Sequence, residues 1–272
     1  MALSCQVLGV SRSGYYAWSC RAPSQASRRR TELSEQIRQI HRESREAYGA
    51  PRVHQELLAS GMPCAKNTVA KLMRQKGLRS KAVRRFVVRT TDSRHDHPIA
   101  PNHLNRRFQR AKPNEVWVAD ITYIPTSEGW LYLAAVLDLY SRKVVGWATS
   151  DSLAADLSCR ALRMAVQHRS PARGVLHHSD RGVQYACEAF QQLLNQHGMT
   201  PSMSRTGNCY DNAVMESFFS TLKSELGERF ESHGDAKMEL FDYIEVFYNQ
   251  RRRHSTIGQI SPAEFERRSH AA

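Results

Sequence analysis

Val116-Trp117-Val118-Ala119-Asp120-Ile121-Thr122-Tyr123-Ile124 is the stretch on which the reading of this chain turns. β-branched and aromatic residues dominate it and Pro125 closes it, which predicts a largely buried strand. One acid, Asp120, stands in its middle. A carboxylate among so many apolar neighbours costs stability unless a group nearby, such as a cation, needs it there. Taken alone, Asp120 reads more simply as an edge-strand acid facing water. Two acidic motifs further along the chain shift that balance.

Downstream, a Ser127-Glu128-Gly129 turn separates the first strand from a second over residues 130–139, and a third follows over 143–149. Connections this short predict an antiparallel meander. Asp151 or Ser152 is expected to cap a helix reaching about His168. A short fourth strand over 174–178 ends at Ser179-Asp180, residues 183–197 are helical, and 199–203 supply a fifth strand. Three meander strands followed by alternating helix and strand predict an α/β fold, a mixed five-stranded sheet flanked by helices. A Gly-Asn-rich loop over 206–210 leads into a helix from about Asn212. Met215, Phe219, Leu222 and Leu226 form its buried stripe, which puts Glu216, Ser220 and Lys223 on a different, outward face. A last helix over about 235–250 runs into Arg251-Arg252-Arg253-His254.

Upstream the pattern is all helical. Residues 4–18 read as a short helix, a turn at Gly9 and a second helix capped by Ser11. Leu33, Ile37 and Ile40 recur at helical spacing over 33–46, and Pro51 opens a helix carrying Val53 and Leu57. Asn67 or Thr68 is expected to cap a third helix that turns Val69, Leu72 and Met73 inward and shows Lys66, Lys71 and Arg74 outward. Three short helices with a basic last one suit a major-groove reader ahead of the alternative, a small bundle with a solvated basic face. Residues 79–112 then hold ten Lys and Arg, Arg84 and Arg85 among them, against Asp92 and Asp96. That density suits a connector tracking phosphates. The expected organisation is an N-terminal helical segment over 1–23, a helix-turn-helix-like region over 24–78, a basic linker over 79–112 and the α/β core over 113–272.

The whole chain of 272 residues carries a formal charge of +13, which points to a polyanionic partner, nucleic acid first among them. Six cysteines without a C-x-x-C pair argue against a zinc module and a disulfide framework, and suit reduced thiols in a cytoplasmic protein. No apolar run is long enough to span a bilayer, so no membrane partner is expected.

Three acids occupy suggestive places: Asp120 in mid-strand, Asp180 just past a strand end and Glu216 near the start of a helix. Converging from two strands and a helix, they can hold two Mg²⁺ or Mn²⁺ ions, the hard cations that oxygen ligands suit. Such a pair activates an attacking oxygen and stabilises a leaving one in phosphoryl transfer. Asp138 at the end of the second strand is the rival for a metal position. His178 either orients Asp180, touches phosphate or packs at the strand end. Asn208 is a further candidate for DNA contact.

Trp117-Val118-Ala119-Asp120-Ile121-Thr122-Tyr123, His178-Ser179-Asp180-Arg181-Gly182-Val183-Gln184-Tyr185 and Asp211-Asn212-Ala213-Val214-Met215-Glu216-Ser217-Phe218-Phe219 together resemble the catalytic subunits of the IS-three family of bacterial insertion-sequence transposases, within the DDE superfamily. Tyr248-Asn249-Gln250-Arg251-Arg252-Arg253-His254, Ser261-Pro262-Ala263-Glu264-Phe265, Tyr48-Gly49-Ala50-Pro51-Arg52-Val53 and Leu72-Met73-Arg74-Gln75-Lys76-Gly77-Leu78 extend the resemblance over nearly the whole chain. It departs at Arg253, where many relatives have Pro. The resemblance implies a ribonuclease-H-like fold with Asp120, Asp180 and Glu216 as the metal-binding triad. It implies that Lys223, seven beyond Glu216, contacts terminal DNA. It further implies cleavage at the element's ends and joining of the 3′-OH to another phosphodiester in double-stranded terminal-repeat or target DNA. A homo-oligomer, fusion with an upstream reading frame and a bacterial, nucleoid-associated location belong to the same expectation. The competing readings are a DNA-binding regulator without catalysis and a ribonuclease-H-type nuclease.

Overall fold

The computed structural model describes residues 2–81, 97–206, 208–227 and 229–271, which fall into two compact units, Met1–Ser80 and Lys81–Ala272. The first unit is helical: α1 (Ala2–Val7), α2 (Arg12–Ser19), α3 (Gln25–Glu43), α4 (Ala50–Ala59) and α5 (Lys66–Gln75). Ser11 caps α2 by accepting the Gly14 N–H at 3.0 Å, as its sequence position predicts. Leu33, Ile37, Val53, Leu57, Val69, Leu72 and Met73 are buried, and His54 bonds the Cys64 carbonyl at 2.8 Å to hold the turn before α5. Two boundaries differ from the apolar pattern. Helix α3 begins eight residues before Leu33, where Ser24 accepts the Ser27 N–H, because its first two turns are polar and carry no apolar period. Helix α5 starts from Ala65 without a side-chain cap, so Asn67 and Thr68 lie inside its first turn.

The second unit is built on a five-stranded sheet in the order β3-β2-β1-β4-β5. Strands β1 (Val116–Thr126), β2 (Gly129–Asp138) and β3 (Val144–Ser150) form the antiparallel meander, and β4 (Leu176–Ser179) and β5 (Thr200–Met203) join parallel to β1 and to each other. Parallel pairing requires crossovers; α6 (Ala155–Arg169) lies between β3 and β4, and α7 (Val183–Ala186) with α8 (Glu188–Gln196) between β4 and β5. The expected helix over 183–197 is thus two, broken where Cys187 turns extended at ψ 151°. Trp117, Ala119 and Ile121, alternate residues of β1, enter one core with Val136, Leu157, Leu162, Phe190 and Leu194. Helix α9 (Ala213–Leu226) and α10 (His233–Phe241) also pack on β1. The expected last helix over 235–250 becomes α10 followed by π-helical turns over Asp242–Tyr248, and a further helix, α11 (Pro262–Ala271), follows.

Helix α6 reaches β3 closely because Gly146 has no side chain: a Cβ there would strike the Ala161 carbonyl oxygen and lie 2.5 Å from the Ala165 nitrogen. Asp138 is fully buried and spoken for. It accepts the backbone N–H groups of Asn114 and Tyr140 and the Arg169 guanidinium at 2.9 Å, and Arg169 in turn grips Glu266 of α11. This network ties the end of β2 and the end of α6 to the last helix, so Asp138 is structural rather than a metal ligand. Asn249 reads Val144 of β3 on both backbone groups at 2.9 Å, acting as one residue of an added strand.

Glu225 near the end of α9 is buried against Arg252, which donates to both its oxygens, and the Tyr243 hydroxyl adds a 2.8 Å bond. Arg252 is therefore an internal anchor for α9. Glu225→Ala leaves that guanidinium buried without its partner and is expected to cost about 3–5 kcal/mol in chemical denaturation. Gly146→Val is expected to lower stability by at least about 1–3 kcal/mol, because the obstruction is backbone; the melting temperature measures it.

Candidate active site

Asp120 sits midway along β1, half-buried, with its Oδ1 accepting the Ile121 N–H at 2.8 Å. Burial pushes its carboxyl well above the ordinary carboxylate range, and the Asp180 and Glu216 charges push it further; Ile121 N–H and the Lys223 ammonium act against them. Asp120 therefore lies close enough to Asp180, Glu216 and Lys223 to sense the charge of each. Partial desolvation raises Glu216 as well.

Local chemistry sets each position. Asp180 follows β4 directly, and its Oδ1 accepts the Gly182 N–H at 2.9 Å. Gly182 has an ordinary φ of −62°, so a strained turn is not its reason. A Cβ there would lie 3.1 Å from the Asp180 Oδ1 and 2.9 Å from the Gln184 Oε1, so glycine leaves the carboxylate its room. Glu216 lies in the first turn of α9. Asn212 precedes that helix without capping it; its side-chain N–H reaches the Ala119 carbonyl of β1, beside Asp120. Asp211, buried next to it, is gripped by Arg106, Arg205 and Asn102, and the Arg205 guanidinium leads in holding its carboxyl far below the usual range.

Lys223, two turns beyond Glu216, is not on an open face. It is half-buried with its Nζ 4.6 Å from the centroid of the Tyr123 ring, and desolvation lowers it to about 8 against the pull of Asp120. Tyr185 of α7 is buried among His177 and Phe190, and its hydroxyl has no hydrogen-bond partner among the described residues. Burial holds that phenol far above its ordinary range, and the Asp120 and Asp180 charges raise it further.

His178 is a correction. It is 0% exposed, with Nδ1 on Ser202 at 2.9 Å and Nε2 on Ser204 at 3.2 Å, and burial lowers it to about 4. It is a neutral residue binding β4 to β5 and does not reach a phosphate. Asn208 is half-buried with its side-chain oxygen enclosed and, among the described residues, unpartnered. Lys66, Lys71 and Arg74 are exposed on α5, opposite the buried Val69, Leu72 and Met73. Arg84 and Arg85 lie outside the described residues.

Among the described residues, no three His, Cys, Asp or Glu side chains stand gathered as a ready-made metal site. The donor set nonetheless fits a hard divalent cation. The charges of Asp180 and Glu216 raise the cost of ionising Asp120, and a cation shared with it removes that cost. Nothing similar holds at Asp138, whose charge Arg169 already balances.

A family model described as an integrase core domain matches residues 110–209, another of the same description matches 197–262, and an HTH-like domain matches 28–86. The chain is 45% identical over 268 residues to the insertion element IS600 uncharacterized 31 kDa protein of Shigella sonnei, covering 98% of each. It is 44% identical over 269 residues to transposase InsF for insertion sequence IS3A of Escherichia coli (strain K12), covering 97% of this chain and 93% of that protein. Among solved structures, the catalytic core domain of BIV integrase is 18% identical with a TM-score of 0.43, covering 58% of this chain and 97% of that one. No described helix is long and apolar enough to cross a membrane. On this sequence kinship the chain belongs to the IS3 family of insertion-sequence transposases, DDE-type polynucleotidyl transferases with a divalent-metal-dependent integrase core.

Proposed function

We propose that this chain cuts DNA at the ends of its insertion sequence and joins the freed 3′-OH to a second phosphodiester, using Asp120, Asp180 and Glu216. The observation that carries this reading is that the charges of Asp180, at the end of β4, and Glu216, at the start of α9, both act on Asp120 of β1, with Lys223 alongside. The acids would hold two Mg²⁺ or Mn²⁺ ions, which supply charge neutralisation at the phosphate and an activated attacking oxygen when bound. In the first reaction a water oxygen forms a bond to phosphorus and the bond to the 3′ oxygen breaks, leaving a 3′-OH and a 5′-phosphate. In the second, the 3′-OH oxygen forms the new bond to phosphorus and the 3′ oxygen of the attacked strand departs with a proton, so that the joined strands share an ordinary 3′–5′ phosphodiester.

The residues of this chain contribute position and charge. Glu225, Arg252 and Asn212 hold α9, which carries Glu216, against β1. Lys223 offers its ammonium to a backbone phosphate near the reacting one. The helix-turn-helix-like region over 24–78 is read as the terminal-repeat reader, with Lys66, Lys71 and Arg74 on phosphates or bases, and residues 79–112 as its basic connector to the core over 113–272. Bringing two DNA ends together calls for a homo-oligomer, and an upstream-frame product is a candidate partner. The reaction's substrate puts the protein at the bacterial nucleoid.

The test is incubation of the protein with labelled duplexes bearing the element's ends, with and without Mg²⁺, followed by separation of cut and joined strands. Wild type is expected to yield joined products. Asp120→Asn is expected to bind the same DNA yet lose at least about 100-fold in cleavage and joining, the scale of removing a group that stabilises transition-state charge. A protein that binds without Mg²⁺-dependent products would be a regulator, and one that degrades RNA–DNA hybrids without joining would be a nuclease.

The lowered Lys223 yields a second expectation. Its ammonium is charged below about pH 8 and neutral above. DNA affinity at fixed salt is therefore expected to fall as pH rises from 7 to 9, and Lys223→Arg, which stays charged, is expected to flatten that profile. Binding titrations at the two pH values measure it; a wild-type profile as flat as that of the Arg variant removes Lys223 from the DNA contact.

A further inference from the structure

Trp130 is an exposed tryptophan that the catalytic reading does not use. It is the second residue of β2, opposite Pro125 of β1, and remains 51% exposed. Its ring meets that of Tyr123 at 4.7 Å between centroids and 71° between planes. The Lys223 Nζ stands over the same Tyr123 ring at 4.6 Å. Trp130, Tyr123 and Lys223 thus form a continuous cluster, and through Lys223 the cluster adjoins Asp120, whose charge the ammonium senses.

The hairpin carrying Trp130 is held firmly. Thr126 Oγ1 donates to the Gly129 carbonyl at 2.7 Å and accepts the Glu128 N–H at 3.2 Å. From outside, the Phe230 carbonyl accepts the Ser127 N–H at 2.9 Å, the Phe230 N–H reaches the Pro125 carbonyl, and the His233 N–H reaches Glu128 at 2.7 Å. A large flat ring on a fixed turn contributes little to folding, because half its surface stays in water. Held in place beforehand, it loses little entropy when something flat covers it.

Charge and position select the occupant. A cation beside exposed aromatic surface suits a nucleotide, whose base stacks while its phosphate pairs with the ammonium. Inside a duplex both faces of every base are already covered, so the ring can take only a base that has left its stack. We propose that Trp130, braced by Tyr123 and flanked by Lys223, is a stacking platform for one unstacked nucleobase of the DNA strand engaged at Asp120. The inference rests on the function proposed above and adds to it a site that recognises opened rather than paired DNA.

The experiment compares metal-free equilibrium binding of the full chain to two duplexes carrying the same element end. One is fully paired, and the other has two or three unpaired nucleotides at the cleavage position. Wild type is expected to favour the opened duplex. Trp130→Ala is expected to weaken binding to the opened duplex by about 10- to 100-fold, the range for one lost base stack, while affecting the paired one much less. Trp130→Phe is expected to keep most of the preference. Trp130→Leu, which retains an apolar cover without an aromatic face, is expected to lose it with an unchanged melting temperature. Neither aromatic variant alters the slope of affinity against salt, whereas Lys223→Ala lowers it by about one. The platform is overturned if wild type shows no preference for opened DNA, if Trp130→Leu keeps that preference, or if Trp130→Ala weakens both duplexes equally. Strand joining in Mg²⁺ by wild type is read separately. Joining without the preference removes the platform and keeps the enzyme, and preference without joining does the opposite.

Discussion

Like charges held together in a protein require something that outweighs their repulsion. Asp120, Asp180 and Glu216 come from distant parts of the chain, and the charges of the last two raise the cost of ionising the first. The remaining features of the second unit serve to keep them near one another. Parallel pairing sets β4 beside β1, with Val118 opposite His178, so Asp180 emerges two residues past that rung. The Asn212 amide hooks the start of α9 to Ala119, and the Glu225–Arg252 pair pins its far end. A divalent cation turns the same repulsion into binding energy, which is why a site that is costly when empty is useful in phosphoryl transfer.

The excess of positive charge divides into two populations with different physics. Arg169 and Arg252 are withdrawn into buried pairs with Asp138, Glu266 and Glu225, where planar guanidinium and carboxylate match in geometry as well as in charge. Lys66, Lys71 and Arg74 stay in water on α5, where a single charge adds little to stability and remains available to phosphate. Lys223 lies between these cases. Half-buried over Tyr123 and drawn by Asp120, it holds its proton less firmly than a surface lysine, and it links the acidic site to the aromatic hairpin tip.

Much of the fold was legible because the signals were local. The β-branched run of β1, the short turns after Ile124 and Leu139, and the apolar stripe of Met215, Phe219 and Leu222 each report on neighbours within a few residues. The misread boundaries arose where local pattern was silent. The polar first turns of α3 carry no apolar period, Ala65 and Ala154 start helices with no capping side chain, and α11 follows an irregular segment. Arg252 shows the same limit: it stands in a run of three arginines that local pattern does not tell apart, and its partner Glu225 lies 27 residues earlier. His178 looked available for phosphate until Ser202 and Ser204 were found on both of its nitrogens.

From residue types and spacing alone followed the mixed sheet, the basic helical region ahead of it, and the three acids worth singling out. Those properties depend on hydrophobic period, turn chemistry and charge, all of which are written along the chain. Only the tertiary structure decided that Asp138 is neutralised by Arg169, that His178 is interior, that Gly182 makes room for a carboxylate, and that Lys223 and Trp130 share one tyrosine. Gly182 apart, whose carboxylate stands two residues away, each of these is a contact between residues far apart in sequence. Burial and partner, which set the charge and reach of a side chain, come into being only when the sheet and helices close on one another.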